Sequence, residues 1–178
     1  MSRHPLVPAL LLAVLALAPL GAQPAPATPE AKLAALGHTL PKTSAPIANY
    51  VPAVRTGNLV FLAGHISRGP DGKTITGKLG RDLTVEQGAA AARHTALAML
   101  ATLKNEIGDL AKVKRVVKVS GFVNSVENFT QQPQVMNGCS DLLVAVFGDK
   151  GKHARAALGM SALPVDAAVE IEMIVEIE

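Results

Sequence analysis

The sequence predicts an α+β domain: one sheet with two helices packed on a single face. Three observations carry this. A capped apolar stripe marks a long helix from Thr84 to Ile107, and a second helical stretch runs from Gln134 to Phe147. Strand-like runs stand at Leu59–Ile66, Val113–Val123, Ala154–Met160 and Val169–Ile177. The order, strands first, then helix, strand, helix and two strands, is that of an α+β sandwich with helices laid against one sheet.

Each element has its own local reason. Leu59 opens the apolar run LVFLAGHI, and the polar stretch RGPDGKTITGKLG follows it. Pro70-Asp71-Gly72 in that stretch is a turn signal, so a hairpin or a long surface loop leaves the strand. Thr84 and Gln87 fit a capping box. From there Val85, Ala89, Ala92, Ala96, Met99, Leu103 and Ile107 recur at steps of four and three, and Gly108 is a C-cap. In VKRVVKVSGFV, alternation places Lys114, Lys118 and Ser120 on one face and Val113, Val117 and Val119 on the other. The last strand alternates throughout: Val169, Ile171, Met173, Val175 and Ile177 face one way, and Glu170, Glu172, Glu176 and Glu178 face the other with Ile174. The face away from the helices thus mixes charges with Val116, Phe122 and Ile174, and is expected to be covered by other subunits.

Composition narrows the function. The chain has 178 residues, 49% hydrophobic and 17% charged, which is too apolar for disorder. A formal charge of +3 with no Trp, one Tyr and four Phe gives neither a phosphate-neutralising surface nor a base-stacking platform, so no nucleic-acid partner is expected. The single Cys139 excludes an internal disulfide and any multi-cysteine metal site.

The first residues read as an export signal: Arg3 and His4, an apolar run from Ala9 to Leu20, then Gly21 and Ala22. The run is shorter than the roughly 20 residues that span a bilayer. The expected organisation is a signal peptide at 1–22, a Pro-rich linker and N-terminal extension at 23–40, and the domain at 41–178. The mature protein would then be periplasmic or secreted, with no membrane attachment.

Three groups of residues could carry chemistry. Arg155 stands nine residues before Pro164 and ahead of the glutamate ladder. A guanidinium there either grips a planar carboxylate through its fork of donors or pairs internally with one of those glutamates. His65, His94 and His153 are candidate bases or ligands, but no H-x-x-x-H or H-E-x-x-H spacing exists, so no metal is expected. His65 follows a glycine at a strand end, where site residues often sit. Gly72-Lys73-Thr74 lacks the glycine five positions earlier that a phosphate loop needs; Ser67 stands there.

These segments together resemble the RidA (YjgF) family. The resemblance is carried by Tyr50 before Gly57-Asn58, by LVFLAGHI where members typically end a strand in Ser-Gly-Gln, by the long helix, by VKRVVKVSGFV and by ARAALGMSALPVDAAVEIEMI. It covers about Asn49 to Ile177. It implies a chorismate-mutase-like fold, a homotrimer with clefts between subunits, and hydrolysis of 2-imino or 2-enamino acids to 2-oxo acids and ammonia without metal or organic cofactor. By position, Arg155 resembles the arginine that grips the substrate carboxylate and Glu170 the acid that orients the attacking water. Tyr50, Ala63, Gly64, His65, Asn137 and Ala157 match positions that line the cleft, with Ser140 a second candidate for the asparagine position. Ala63, His65 and Ala157 stand where members commonly carry Ser, Gln and Cys, and Leu143 where they carry Tyr. The alternatives are a trimeric carboxylate-binding protein without catalysis and, fitting the composition poorly, an endoribonuclease.

Sequencing the N-terminus of the protein recovered after export should find Gln23 or a close neighbour first. An intact Met1 in the soluble cytoplasmic fraction would overturn the export reading.

Overall fold

The computed structural model describes residues 27–43 and 48–178; the expected signal segment lies outside them. Five strands form one mixed sheet in the order β1-β2-β5-β3-β4. They are β1 (Ala53–Thr56), β2 (Leu59–Ile66), β3 (Val113–Asn124), β4 (Ala154–Met160) and β5 (Val169–Ile177). The helices are α1 (Pro29–Ala35), α2 (Val85–Ile107) and α3 (Gln132–Phe147). β1 and β2 form a hairpin through Gly57, whose φ of +57° suits glycine. β5 lies antiparallel between β2 and β3, while β4 runs parallel to β3 at the edge after the α3 crossover.

The capping box at Thr84 is present, with the Thr84 side chain accepting from Gln87 N–H and the Gln87 side chain from Thr84 N–H. Gly108, at φ +84°, ends α2 with its N–H bonded to Lys104 O. The stripe of small residues lets the two long helices approach closely. Gly138 of α3 sits against the backbone of Ala89 in α2, and Gly88 of α2 against Val135 of α3. α2 lies over β2 and β5, and α3 over β3 and β4. Between helices and sheet, Val60, Met99, Leu103, Val119, Leu143 and Ile171 are all fully buried.

Three findings depart from the sequence reading. α1 falls in the segment read as linker and extension, where Thr28 accepts from Ala31 N–H and Pro29 occupies the first turn. Leu33 is buried in the main core, and Glu30 pairs with Lys104 at 3.1 Å. Second, Val116 belongs to the core and not to the open face, whereas Val117, expected inside, is only half-buried. The reason is irregular register: β3 gains a residue on β5 between Val113 and Arg115 and again between Val116 and Lys118. Each bulge reverses the alternation beyond it. Third, β2 carries a bulge in which Ala63 and Gly64 together face Glu172, so Leu62 opposes Met173 and His65 opposes Ile171.

Among the described residues no helix lies on the sheet's second face. Phe61 and Val54 are exposed there, with Ile174 and Phe122 half-buried. Val54, Phe61, Ala63, Lys118, Ser120 and Glu172 line a groove of about 330 Å³ on it.

Gly138→Ala should destabilise the fold by about 1–3 kcal/mol, because its new methyl meets backbone that cannot rotate away. Urea titration of the variant checks this, and an unchanged midpoint would count against the close α2–α3 packing.

Candidate functional site

Arg155 lies on edge strand β4 opposite Val119, a core-facing residue of β3, so its side chain stands on the helix side of the sheet. There Nη1 donates to Asn137 Oδ1 and to Ser140 Oγ, each at 3.0 Å, one turn apart on α3. Both candidates for the asparagine position therefore hold the arginine. Among the described residues no carboxylate lies within ion-pair distance of the guanidinium. Its Nε and Nη2 donors, the edge that matches a carboxylate, carry no protein acceptor among them either. The internal pairing with Glu170 or Glu172 weighed from the sequence is thus not made within the protomer. Ala157, two residues on, is half-buried against the core on the same side.

Glu170 stands elsewhere. It opposes Phe122 of β3, which opposes Leu158 of β4, three rungs along from Arg155 and two strands away. It also points to the open face, since its neighbours Val169 and Ile171 face the core. Within the single chain Arg155 and Glu170 are therefore kept apart. The Glu170 carboxylate packs on Gly64 so closely that any Cβ there would collide with it. Burial pushes its carboxyl above the ordinary glutamate value, and Glu172 adds to the rise. Ala63 accompanies Gly64 in the bulge, its N–H bonded to Pro52 O at 3.0 Å. Tyr50 is exposed just before β1.

His65 does not point its ring at this face. The bulge turns it inward, with Nδ1 2.7 Å from Ala63 O and Nε2 2.8 Å from Thr102 Oγ1 of α2. Both ring nitrogens are thereby engaged, and burial lowers its pKa. The side chain braces the bulge, leaving only its backbone to border the Glu170 site. His94 is half-buried on α2. Among the described residues no three His, Cys, Asp or Glu side chains gather as a metal would need.

Sequence reasoning gave less weight to His153. Its Nδ1 lies 2.7 Å from Gly151 O and its Nε2 3.1 Å from Ser140 Oγ, the hydroxyl that also accepts from Arg155. Ser140 and His153 are thirteen residues apart across a helix end and a turn, so no local pattern could have joined them. Cys139 beside Ser140 is buried, which pushes its thiol up to about 12 and keeps it neutral.

An arginine at the sheet edge whose Nε and Nη2 carry no protein acceptor among the described residues is an arrangement that can take a small anion. Residues 30–177 match the family described as "YjgF/chorismate mutase-like, putative endoribonuclease". The chain belongs to that family, which includes the RidA proteins. It is 46% identical over 148 residues to Protein TCP17 of Trypanosoma cruzi, covering 83% of this chain and 92% of that one. It is 32% identical over 140 residues to a 2-iminobutanoate/2-iminopropanoate deaminase of Dermatophagoides farinae, covering 78% and 93%. A solved structure of an Agrobacterium tumefaciens protein of unknown function is 44% identical, with a TM-score of 0.79 over 85% of this chain and 94% of that one.

Because the folded protein raises the Glu170 pKa, the stability this group contributes is complete at pH values below the unfolded carboxylate value. It is lost as pH rises through the folded one. Glu170→Gln should therefore melt higher than the parent at pH 7, with the gap closing toward pH 4. Differential scanning calorimetry across that range checks the sign, and a lower melting temperature for the variant at pH 7 would refute it.

Proposed function

We propose that the protein is a hydrolytic deaminase of 2-imino and 2-enamino acids, needing no metal or organic cofactor and working as an exported homotrimer. The observation that carries this reading is the Arg155 guanidinium, fixed through Nη1 by Asn137 and Ser140 while its carboxylate-matching edge carries no protein acceptor among the described residues. The similarity to a 2-iminobutanoate/2-iminopropanoate deaminase supports the substrate class.

The chemistry needs little machinery. A protonated imine is electrophilic, so the protein has to anchor the carboxylate and place a water. Water adds to the C=N carbon of the iminium acid, the C–N bond breaks, and the products are a 2-oxo acid and ammonium. Arg155 anchors the substrate. Glu170, with its pKa raised by burial, is suited to accept the proton of the attacking water. Edge-strand backbone N–H groups near Ala157 supply further donors, and Tyr50 lines the cleft.

Assembly brings the parts together. Arg155 and Glu170 lie on opposite faces of one sheet, so a shared site needs the β4 edge of one protomer against the open face of the next. Burying Phe61, Val54 and Ile174 would drive that contact. Export with processing near Ala22 belongs to the same proposal.

Arg155→Ala should abolish ammonia release from an imino acid generated in situ, and should weaken 2-oxo acid binding by about 2–5 kcal/mol. Arg155→Lys should rescue poorly, since an ammonium cannot copy the planar fork. Light scattering should find both variants trimeric. Lost melting temperature with unchanged binding would sink the assignment, and binding without ammonia release in the parent would leave a carboxylate-binding protein instead.

A further inference from the structure

We propose that His153 and Ser140 are positioning residues that make the Arg155 site proton-linked: protonation of His153 places a second positive charge one hydroxyl away from the guanidinium that holds the carboxylate. This rests on the reading of Arg155 as a carboxylate anchor and adds to it a pH-dependent affinity.

The hydrogen-bond chain dictates the mechanism. Gly151 O, 2.7 Å from His153 Nδ1, can only accept, so Nδ1 carries a proton in both charge states of the ring. In the neutral ring Nε2 is then an acceptor, and the neighbour at 3.1 Å that can donate to it is Ser140. The Ser140 oxygen meanwhile accepts from Arg155 Nη1 at 3.0 Å. The hydroxyl proton is therefore directed at the histidine and away from any ligand. When the ring gains its second proton, Nε2–H donates to Ser140 Oγ, and the hydroxyl hydrogen must rotate elsewhere. Protonation thus adds a positive charge one hydroxyl away from the guanidinium. That charge favours an anion.

The surroundings leave His153 to respond. Arg155 on β4 faces it and, after burial, is a cause of its lowered pKa. Lys152 in the preceding turn is paired with Asp149 at 2.7 Å, and Lys150 Nζ donates to Val113 O. On α3, Asp141 is exposed and the Cys139 thiol is neutral. Lys118 flanks Ala154 but faces the other side of the sheet. A carboxylate at Arg155 would remove the main unfavourable charge and raise the histidine pKa, so binding and protonation assist each other equally. His65 has the same bonding pattern, yet its hydroxyl partner Thr102 is buried and among the described residues bonds no cation, so no such linkage is available there.

Calorimetric titration of the full trimer with 2-oxobutanoate from pH 5 to 8 tests this. Affinity should rise on acidification by up to tenfold per pH unit around the histidine pKa. Repeating one pH in buffers of different ionisation enthalpy should show net proton uptake in the parent protein, a result that needs no variant. His153→Gln should flatten the profile while keeping the high-pH affinity, and Ser140→Ala should reduce the slope. A flat parent profile or a slope that persists in His153→Gln overturns this inference while the anchor reading stands. Failure to bind at any pH overturns both.

Discussion

Strand β5 hydrogen-bonds to β2 on one side and β3 on the other, so its alternation sets what each face of the sheet carries. Val169, Ile171, Met173, Val175 and Ile177 go inward beneath α2, and the glutamates go outward with Ile174. A shift of one residue in β5 itself would drive its carboxylates into the core, at a cost the fold could not offset. The neighbouring strands adjust instead. β2 absorbs its extra residue at Ala63–Gly64 and β3 absorbs two, so that core side chains meet β5's core side chains all along the sheet.

Those adjustments also shape the candidate site. Gly64 lies in the bulge because nothing larger fits beside the Glu170 carboxylate, and that close packing helps exclude water from it. His65 is turned inward by the same bulge and locked by Thr102. One local insertion thus opens room for an acid on the outer face and spends a histidine as a brace on the inner one. At the far edge, β4 follows α3 in a parallel crossover, which sets Arg155 beneath Asn137 and Ser140.

Two histidines with the same backbone-carbonyl and hydroxyl partners illustrate why motif alone does not assign a role. His65 is enclosed between sheet and helix, whereas His153 shares its hydroxyl with an exposed cation. Burial and the neighbouring charge, not residue identity, separate a brace from a group able to respond to a ligand.

The sequence by itself determined the two long helices, four of the five strands, the alternation of β5 and the family, because these rest on local periodicity and on a contiguous motif, whereas α1 and the short β1 escaped it. Thr84 with Gln87, Gly108 and the Val/Ile-Glu ladder are all short-range features. It also marked Arg155, though not whether that arginine pairs internally. The tertiary structure decided that, by placing the glutamates on the opposite face of the sheet. It decided too that Val116 is core, that His65 turns inward and that His153 joins Ser140. Each of these depends on a bulge or a crossover, and the register of one strand against another is set by packing across the sheet, which no local pattern records.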